Sequence, residues 1–348
     1  MYKFSIKHWQ RYIAVGMALS LSALLLTGCG DKAASSPAGT VEKKIVAYGV
    51  IDPQISAQQI IADKKGFFKE EGLVVENKLL QSGGDIAPLI SSGEAQVSFE
   101  SPYTDIAVAA NGVPVKIVAP MADIGNTQCV VARKDAGIEK AKDLEGKKIG
   151  MAAGSGVLIA IRNMAKDMNV DINKINFVTL SPSDQIAAME HGDIDAMACW
   201  EPWVSNGQKA GGKLLFSGLK SYLTDKPGDV SWLSFYTTMQ VTDSFLKERP
   251  DDVKAMLRAL KKATDFINEH PDEAAEIIAK EINLDKAEVK HIMAQNKYDM
   301  KFDAHFRDSC TEMSGFMLEM KNIPANPAFE KYADPGLLKA VDAFLVAD

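Results

Sequence analysis

Short apolar runs and amphipathic stretches alternate along the chain from Val41 onward. Apolar runs with the length of a β-strand occur at residues 45–49, 73–80, 96–100, 115–120 and 128–132. Between them lie stretches with the three- and four-residue apolar spacing of an amphipathic helix, at residues 54–68, 86–92 and 103–110. This alternation predicts an α/β fold.

A second series of the same kind follows Asp143-Leu144-Glu145-Gly146. Its strands are predicted at residues 148–151, 176–180 and 194–199, and its helices at 157–168 and 183–191. Two series predict two sheets of parallel type. Beyond Thr242 the pattern is helical, at residues 253–268, 272–280 and 286–296, with Pro250 and Pro271 at helix starts. We expect this part to form a helical cap on one lobe.

The first 28 residues have the pattern of an export signal. Lys3, Lys7 and Arg11 precede an apolar stretch at residues 13–26, which is shorter than the ~20 residues that a membrane span requires. The stretch ends in Leu26-Thr27-Gly28-Cys29, which resembles a bacterial lipobox, in which Cys29 is acylated and becomes the new N-terminus. The alternatives are a signal peptide that merely contains a cysteine, or an uncleaved anchor. Residues 29–40 are predicted to be a tether, because they are too poor in large apolar residues to pack.

Composition describes an ordinary folded protein. The 348 residues are 47% hydrophobic and 24% charged, and this length favours two domains. The net charge of −7 and the lack of a basic block argue against a nucleic-acid partner. Cys129, Cys199 and Cys310 show neither CxxC nor metal-ligand spacing, so a disulfide scaffold and a metal site are not predicted.

Small polar residues mark four turns between a predicted strand and a helix. The turns are Ser82-Gly83-Gly84-Asp85, Ser101-Pro102, Gly154-Ser155-Gly156 and Ser181-Pro182-Ser183-Asp184. Open α/β sheets bind ligands at the carboxyl ends of their strands, and helix starts offer unpaired N–H groups and a positive dipole end. Together these turns can hold an anion without an arginine. The alternative is that each is a plain helix cap, and only their joint placement at a cleft would make them functional.

Aromatic side chains follow several of the same strands. They are Tyr48, Tyr103, Trp200, Trp203, Trp232, Phe235 and Tyr236. Such rings pack the apolar part of a ligand and orient it through O–H or N–H groups, although packing in the core is the equally frequent alternative.

Five segments resemble one known family. They are Gly66-Phe67-Phe68-Lys69-Glu70-Glu71-Gly72-Leu73, Asp143-Leu144-Glu145-Gly146-Lys147-Lys148-Ile149-Gly150, Gly192-Asp193-Ile194-Asp195-Ala196, Trp200-Glu201-Pro202-Trp203 and Asn268-Glu269-His270-Pro271. In order and spacing they resemble the nitrate, sulfonate and taurine group of ABC-transporter substrate-binding proteins. The resemblance implies a two-lobed type II binding fold with two chain crossovers and a C-terminal helical extension. Lobe 1 would be residues 41–126 and 235–348, and lobe 2 residues 127–234.

The resemblance also implies a function. The protein would capture a small anionic organic solute, an aliphatic sulfonate or taurine-like molecule, and deliver it to the permease and ATPase subunits of an ABC transporter. It would be an extracytoplasmic, lipid-anchored monomer without cofactor or metal. The solute alternatives are a pyrimidine or other heteroaromatic precursor, and nitrate or bicarbonate. A sensor role uses the same binding chemistry.

An enzyme of this fold family makes a pyrimidine from its own histidine and uses a cysteine-rich segment. The present chain has no such cysteine cluster, and its histidines are scattered at His191, His270, His291 and His305. No Ser/His/Asp constellation or phosphate-binding loop occurs either. The sequence therefore does not predict an enzyme.

The resemblance places the ligand contacts by position. They are Tyr48, Gln54, Gly83, Gly84, Asp85, Ser101, Tyr103, Gly154, Ser155, Gly156, Trp200, Glu201 and Trp232. Glu201 is unexpected beside an anion, because like charges repel. Either the ligand also carries an amine or N–H donor, or Glu201 turns away to cap backbone amides. The resemblance also makes Cys129 and Cys199 neighbours on adjacent strands and leaves open whether they form a disulfide.

Overall fold

A computed structural model describes residues 44–152 and 155–347. The predicted signal peptide, the Cys29 lipidation site, the tether and Gly154 lie outside the described residues. The strands are β1 Ile45–Val50, β2 Val75–Leu80, β3 Val97–Glu100, β4 Val115–Asp123, β5 Gln128–Ala132, β6 Lys148–Met151, β7 Asn176–Thr179, β8 Ala196–Trp200, β9 Lys213–Ser217, β10 Lys220–Ser221, β11 Gly228–Asp229, β12 Tyr236–Thr242 and β13 Lys297–Tyr298.

Helices connect most of these strands and form the C-terminal part. They are α1 Ala57–Lys64, α2 Phe67–Glu70, α3 Gly83–Ser92, α4 Pro102–Ala110, α5 Val157–Asp167, α6 Pro182–His191, α7 Trp203–Lys209, α8 Asp243–Glu248, α9 Pro250–Glu269, α10 Pro271–Ile282, α11 Lys286–Met293, α12 Ala304–Glu319, α13 Phe329–Tyr332 and α14 Gly336–Val341. Within residues 44–152 and 155–347, no helix has the length and apolar character needed to cross a membrane.

The strands form two sheets. The first has the order β13-β4-β12-β3-β1-β2 and the second the order β11-β10-β9-β5-β8-β6-β7. Strands joined through helices are parallel, as predicted: β1 with β2 and β3, and β6 with β7 and β8. The expectation of parallel sheets is wrong for β12, which is antiparallel to β3 and β4, and for β5, which is antiparallel to β8 and β9. These two strands follow the crossovers and enter their sheets from the opposite end.

The chain crosses between the sheets at residues 124–127 and again at 230–235. The two crossovers contact each other, since the Ile124 N–H donates to the Phe235 carbonyl oxygen at 2.7 Å. Gly218 lies against both: a Cβ added there would be 2.6 Å from the carbonyl oxygens of Gly125 and Leu233. The two-crossover topology is therefore confirmed, and the glycine keeps the crossovers in close contact.

The predicted helical cap is confirmed, and it packs onto the first sheet's helices. The buried face of α9 includes Val253, Leu257, Leu260 and Ile267, and α9 contacts α1. The single helix predicted at residues 54–68 is instead α1 and α2. They are separated by Gly66, whose φ of 77° cannot continue a helix.

Candidate functional site

A cavity of about 720 Å³ lies between the two sheets. The segments that follow β1, β2 and β3 line one wall, and the segments that follow β6, β7 and β8 line the other. The carboxyl ends of parallel strands from both sheets therefore meet at one place, as expected for a ligand site in an open α/β sheet. The volume is in the ordinary range of small-molecule pockets.

The four predicted turns lead into α3, α4, α5 and α6, which begin at this cavity together with α7. The Ser181 Oγ accepts the Asp184 N–H at 3.3 Å and caps α6, whereas α3 and α4 have no side-chain cap. Within the described part of the chain, the N–H groups of Gly83, Gly84 and Tyr103 have no hydrogen-bond partner. The described parts of the four turns therefore lie at one cavity, with free donors at the starts of α3 and α4.

The start of α5 adds a buried hydroxyl. Ser155 is 6% exposed, and its Oγ has no hydrogen-bond partner among residues 44–152 and 155–347. The next residue, Gly156, lies so close to the Phe235 ring that an added Cβ would overlap the ring. A buried polar atom without a hydrogen-bond partner lowers the stability of the fold. Because Ser155 lines the cavity, its hydroxyl is available to a ligand.

Aromatic and aliphatic side chains form much of the remaining wall. Tyr103 and Trp200, which the sequence predicted, line the cavity together with Trp203 and Phe235. Ile51 and Ile55 add aliphatic surface on the first-sheet side. A solute with an apolar portion can therefore be desolvated here while its polar group meets the helix starts.

The structure brings together part of the predicted site. The predicted residues that line the cavity are Gln54, Gly83, Gly84, Ser101, Tyr103, Ser155, Gly156 and Trp200. Tyr48 does not line it: its side chain is 3% exposed, and its hydroxyl donates to Glu94 Oε1 at 2.8 Å. Asp85 is exposed and accepts the Ser82 hydroxyl at 3.0 Å.

Trp232 does not line the cavity either. Its Nε1 donates to Asp167 Oδ2 at 3.1 Å, and its ring packs edge-on against Phe216 with 5.2 Å between centroids. It borders a separate surface depression that also includes Lys166 and Lys226. Its assignment as a ligand contact therefore has no geometric support.

Glu201 adopts the second of the two arrangements that the sequence left open. Its carboxylate accepts the Ser205 N–H at 2.9 Å and the Ser205 hydroxyl at 3.0 Å, which caps the start of α7. Burial raises the pKa of this carboxyl. Its carbonyl oxygen accepts the Gln54 side-chain N–H at 3.0 Å, so the segment joins the two lobes instead of presenting a charge to the cavity.

Asp52 lines the cavity, although the sequence did not single it out. The side chain is 4% exposed, and its Oδ1 accepts the N–H groups of Gln54 at 2.8 Å and Ile55 at 2.6 Å. Burial raises the pKa of Asp52 to about 6, against the lowering effect of these two hydrogen bonds. The available signal was a carboxylate shortly after the first strand, between Tyr48 and Gln54, which were both predicted to bind ligand.

Cys129 lies directly opposite Cys199 on neighbouring strands, so the predicted adjacency is confirmed. Both are free thiols, and burial raises the pKa of Cys199 to about 12. Within the described residues, no group of three or more His, Cys, Asp or Glu side chains is placed to hold a metal ion.

Comparisons with known proteins agree with this architecture. The putative aliphatic sulfonates-binding protein of Bacillus subtilis is 28% identical over 77% of this chain and 78% of its own. A yeast (Saccharomyces cerevisiae) 4-amino-5-hydroxymethyl-2-methylpyrimidine phosphate synthase is 28% identical over 62% of this chain and 64% of its own.

Among solved structures, the periplasmic aliphatic sulphonate-binding protein of Escherichia coli superimposes with a TM-score of 0.70. At 14% sequence identity, it covers 83% of this chain and 96% of its own. The two sheets and their crossovers therefore form the two-lobed fold of periplasmic binding proteins. The family described as NMT1/THI5 like matches residues 55–274, which is more than half of the chain. The chain belongs to the NMT1/THI5-like family.

Proposed function

We propose that this protein is the extracytoplasmic solute-binding component of an ABC importer, capturing a small organic solute between its lobes. The observation that carries the proposal is the convergence of four helix starts, from both sheets, on one cavity of about 720 Å³. In this proposal lobe 1 is residues 41–126 and 235–348, and lobe 2 is residues 127–234.

The solute is proposed to be an aliphatic sulfonate or taurine-like molecule. Helix starts and serine hydroxyls bind an anionic oxygen group without a basic side chain, and the rings of Tyr103, Trp200, Trp203 and Phe235 cover its carbon portion. The name of the Bacillus subtilis relative supports the same class. A pyrimidine-type solute would use the rings alone, and nitrate or bicarbonate would leave them without a partner.

Capture is proposed to occur by closure of the lobes. Contacts already join the lobes: Gln54 with the Glu201 carbonyl, Lys209 with Glu288 at 2.9 Å, and Arg162 with Glu319 at 2.7 Å. A solute that contacts both walls adds to these contacts only in the closed arrangement, so binding shifts the population toward closure. The closed monomer would then dock on the permease and ATPase assembly, held near the membrane by acylated Cys29.

Enzymatic activity is the second function to consider, because a synthase occurs among the similar proteins. Within the described residues, the cavity is lined by neither histidine nor cysteine. That lining supports binding over chemistry that uses a histidine or cysteine side chain of the cavity.

A thermal-shift panel tests the proposed function. We expect an aliphatic sulfonate or taurine to raise the melting temperature of the purified protein, since a ligand that binds only the folded state stabilises it by mass action. Sodium chloride at matched ionic strength controls for general salt effects. No shift at millimolar levels with sulfonates, taurine, nitrate, bicarbonate or pyrimidines would contradict the proposal.

A further inference from the structure

The charge balance of the cavity is one-sided. Within the described residues, Asp52 is the only charged side chain of the lining, and no lysine, arginine or histidine reaches the cavity. A solute that carried only negative charge would therefore meet a carboxylate and no opposing side-chain charge. The lining fits poorly with a simple organic anion.

No basic side chain of the described residues pairs with Asp52. Its Oδ1 accepts two backbone N–H groups, and its Oδ2 has no hydrogen-bond partner among residues 44–152 and 155–347. No ion pair includes it there. With a pKa of about 6, the group is mostly ionised at neutral pH. A buried carboxylate is stabilised when a positive charge approaches it, and here that charge can come from the solute.

The other polar features of the lining suit the opposite charge. The free N–H groups at the starts of α3 and α4 and the unpaired, buried Ser155 Oγ can all donate to an anionic oxygen. The cavity therefore has two kinds of polar surface, one for a cationic group and one for an anionic group.

We propose that Asp52 binds an ammonium group of the solute, so that the cleft selects amino-bearing organic anions over the same anions without the amine. The proposal rests on the proposed function and narrows its solute class to zwitterions, with aminoalkanesulfonates as the test case. A zwitterion brings no net charge to a cavity that holds one carboxylate, and it satisfies both kinds of polar surface at once.

Calorimetric titration of the full-length purified protein with matched solutes tests this. The pairs are taurine with ethanesulfonate, and 3-aminopropanesulfonate with propanesulfonate, which differ only in the amine. We expect the amino member of a pair to bind about 10–100-fold more tightly, the size of a hydrogen bond to a charged group. Equal affinity within each pair would overturn the selection by Asp52 and leave the proposed function standing. No binding of any of the four would contradict the proposed function itself.

The Asp52→Asn variant tests whether Asp52 causes the preference for the amino solute. Asparagine keeps the Oδ1 acceptor for the Gln54 and Ile55 N–H groups and removes the buried charge. The variant should therefore melt, without solute, at or above the wild-type temperature, which verifies that it is folded. We expect the preference for the amino solute to fall to within about threefold, with ethanesulfonate binding unchanged or tighter. Asp308→Asn, a change of equal charge at an exposed carboxylate of α12 outside the lining, should keep the full preference. Loss of preference in both variants, or in neither, would overturn the assignment.

Discussion

At the scale of single residues, one of two buried carboxylates lines the cavity and the other does not. The sequence left open whether Glu201 faces the ligand or caps backbone amides, and in the structure Ser205 holds it against the start of α7. Asp52 lines the cavity instead. The direction of a side chain depends on nearby backbone donors that only the folded chain brings together. The sequence therefore located turns that line the cavity but could not say which carboxylate faces it.

A second pair of carboxylates lies beneath the cavity and should set the pH dependence of stability. Glu100 and Asp105 are fully buried. The Ser98 hydroxyl donates to Glu100 at 2.8 Å, and the Thr238 hydroxyl donates to Asp105 at 2.6 Å. Burial raises the pKa of both groups, and the nearby charge of Asp105 raises that of Glu100 further.

Glu100→Gln should therefore make the free energy of unfolding depend less on pH. A carboxyl whose pKa is higher in the folded state contributes stability that is complete below its unfolded pKa, near 4, and is lost as pH rises through the raised value. The stability that this pair contributes should thus fall as pH rises from about 4 through about 7, the raised pKa of Asp105. Glu100→Gln should lose part of that fall and melt higher than the wild type at pH 8. Urea unfolding at pH 5 and pH 8 measures this. The exposed Glu190→Gln is the control, and an equal change in both variants would refute the prediction.

At the scale of elements, the helix starts were predictable and one central strand was not. Glycine and serine turns are recognisable because capping requires those residue types. β12 has the sequence Tyr-Thr-Thr-Met-Gln-Val-Thr and is buried throughout, although four of its seven residues are polar. Thr238 and Gln240 donate to the buried carboxyls of Asp105 and Glu100. These polar partners come from α4 and β3, so the hydrophobic pattern of β12 alone could not reveal a core strand.

Filling the start of α3 should block binding without unfolding the protein. A Cβ at Gly84 would meet only the Ser82 Oγ, at 3.5 Å, and Gly84 lines the cavity. Gly84→Leu should weaken solute binding by at least about tenfold, because the side chain occupies the cleft and displaces polar contacts. Calorimetric titration measures the change.

Gly315→Leu is the matched control, since it lies in α12 with nothing within 4 Å of an added Cβ, away from the cavity. Both variants should melt at or above the wild-type temperature, because leucine favours helix more than glycine does. Retained wild-type affinity in Gly84→Leu would exclude the start of α3 from the site.

At the scale of the whole molecule, the two series of strands and helices predicted the two sheets because the parallel strands of each series pair with one another. The antiparallel entry of β5 and β12 was missed, since strand direction after a crossover depends on which end of the sheet the chain reaches. The contact between the crossovers could not be predicted either, because Gly125, Gly218 and Leu233 are distant in the sequence.

Gly218→Ala should test the contact between the crossovers. Its Cβ would be 2.6 Å from two main-chain oxygens, which cannot move aside as a flexible side chain can. We expect the free energy of unfolding to fall by about 1–3 kcal/mol, the usual cost of overpacking. Gly315→Ala should instead raise it by up to about 1 kcal/mol, because alanine is the better helix former. Urea denaturation compares the two, and equal stability would show that the crossovers tolerate separation.

The distribution of tryptophans has a practical consequence. Trp200 and Trp203 line the cavity and Trp232 does not, while Trp9 lies outside the described residues. The fluorescence of Trp200 and Trp203 can therefore report solute binding, and that of Trp232 can serve as an internal reference. Replacing the cavity tryptophans, or Trp232, with phenylalanine would separate fluorescence changes caused by a solute in the cavity from changes that arise elsewhere in the protein.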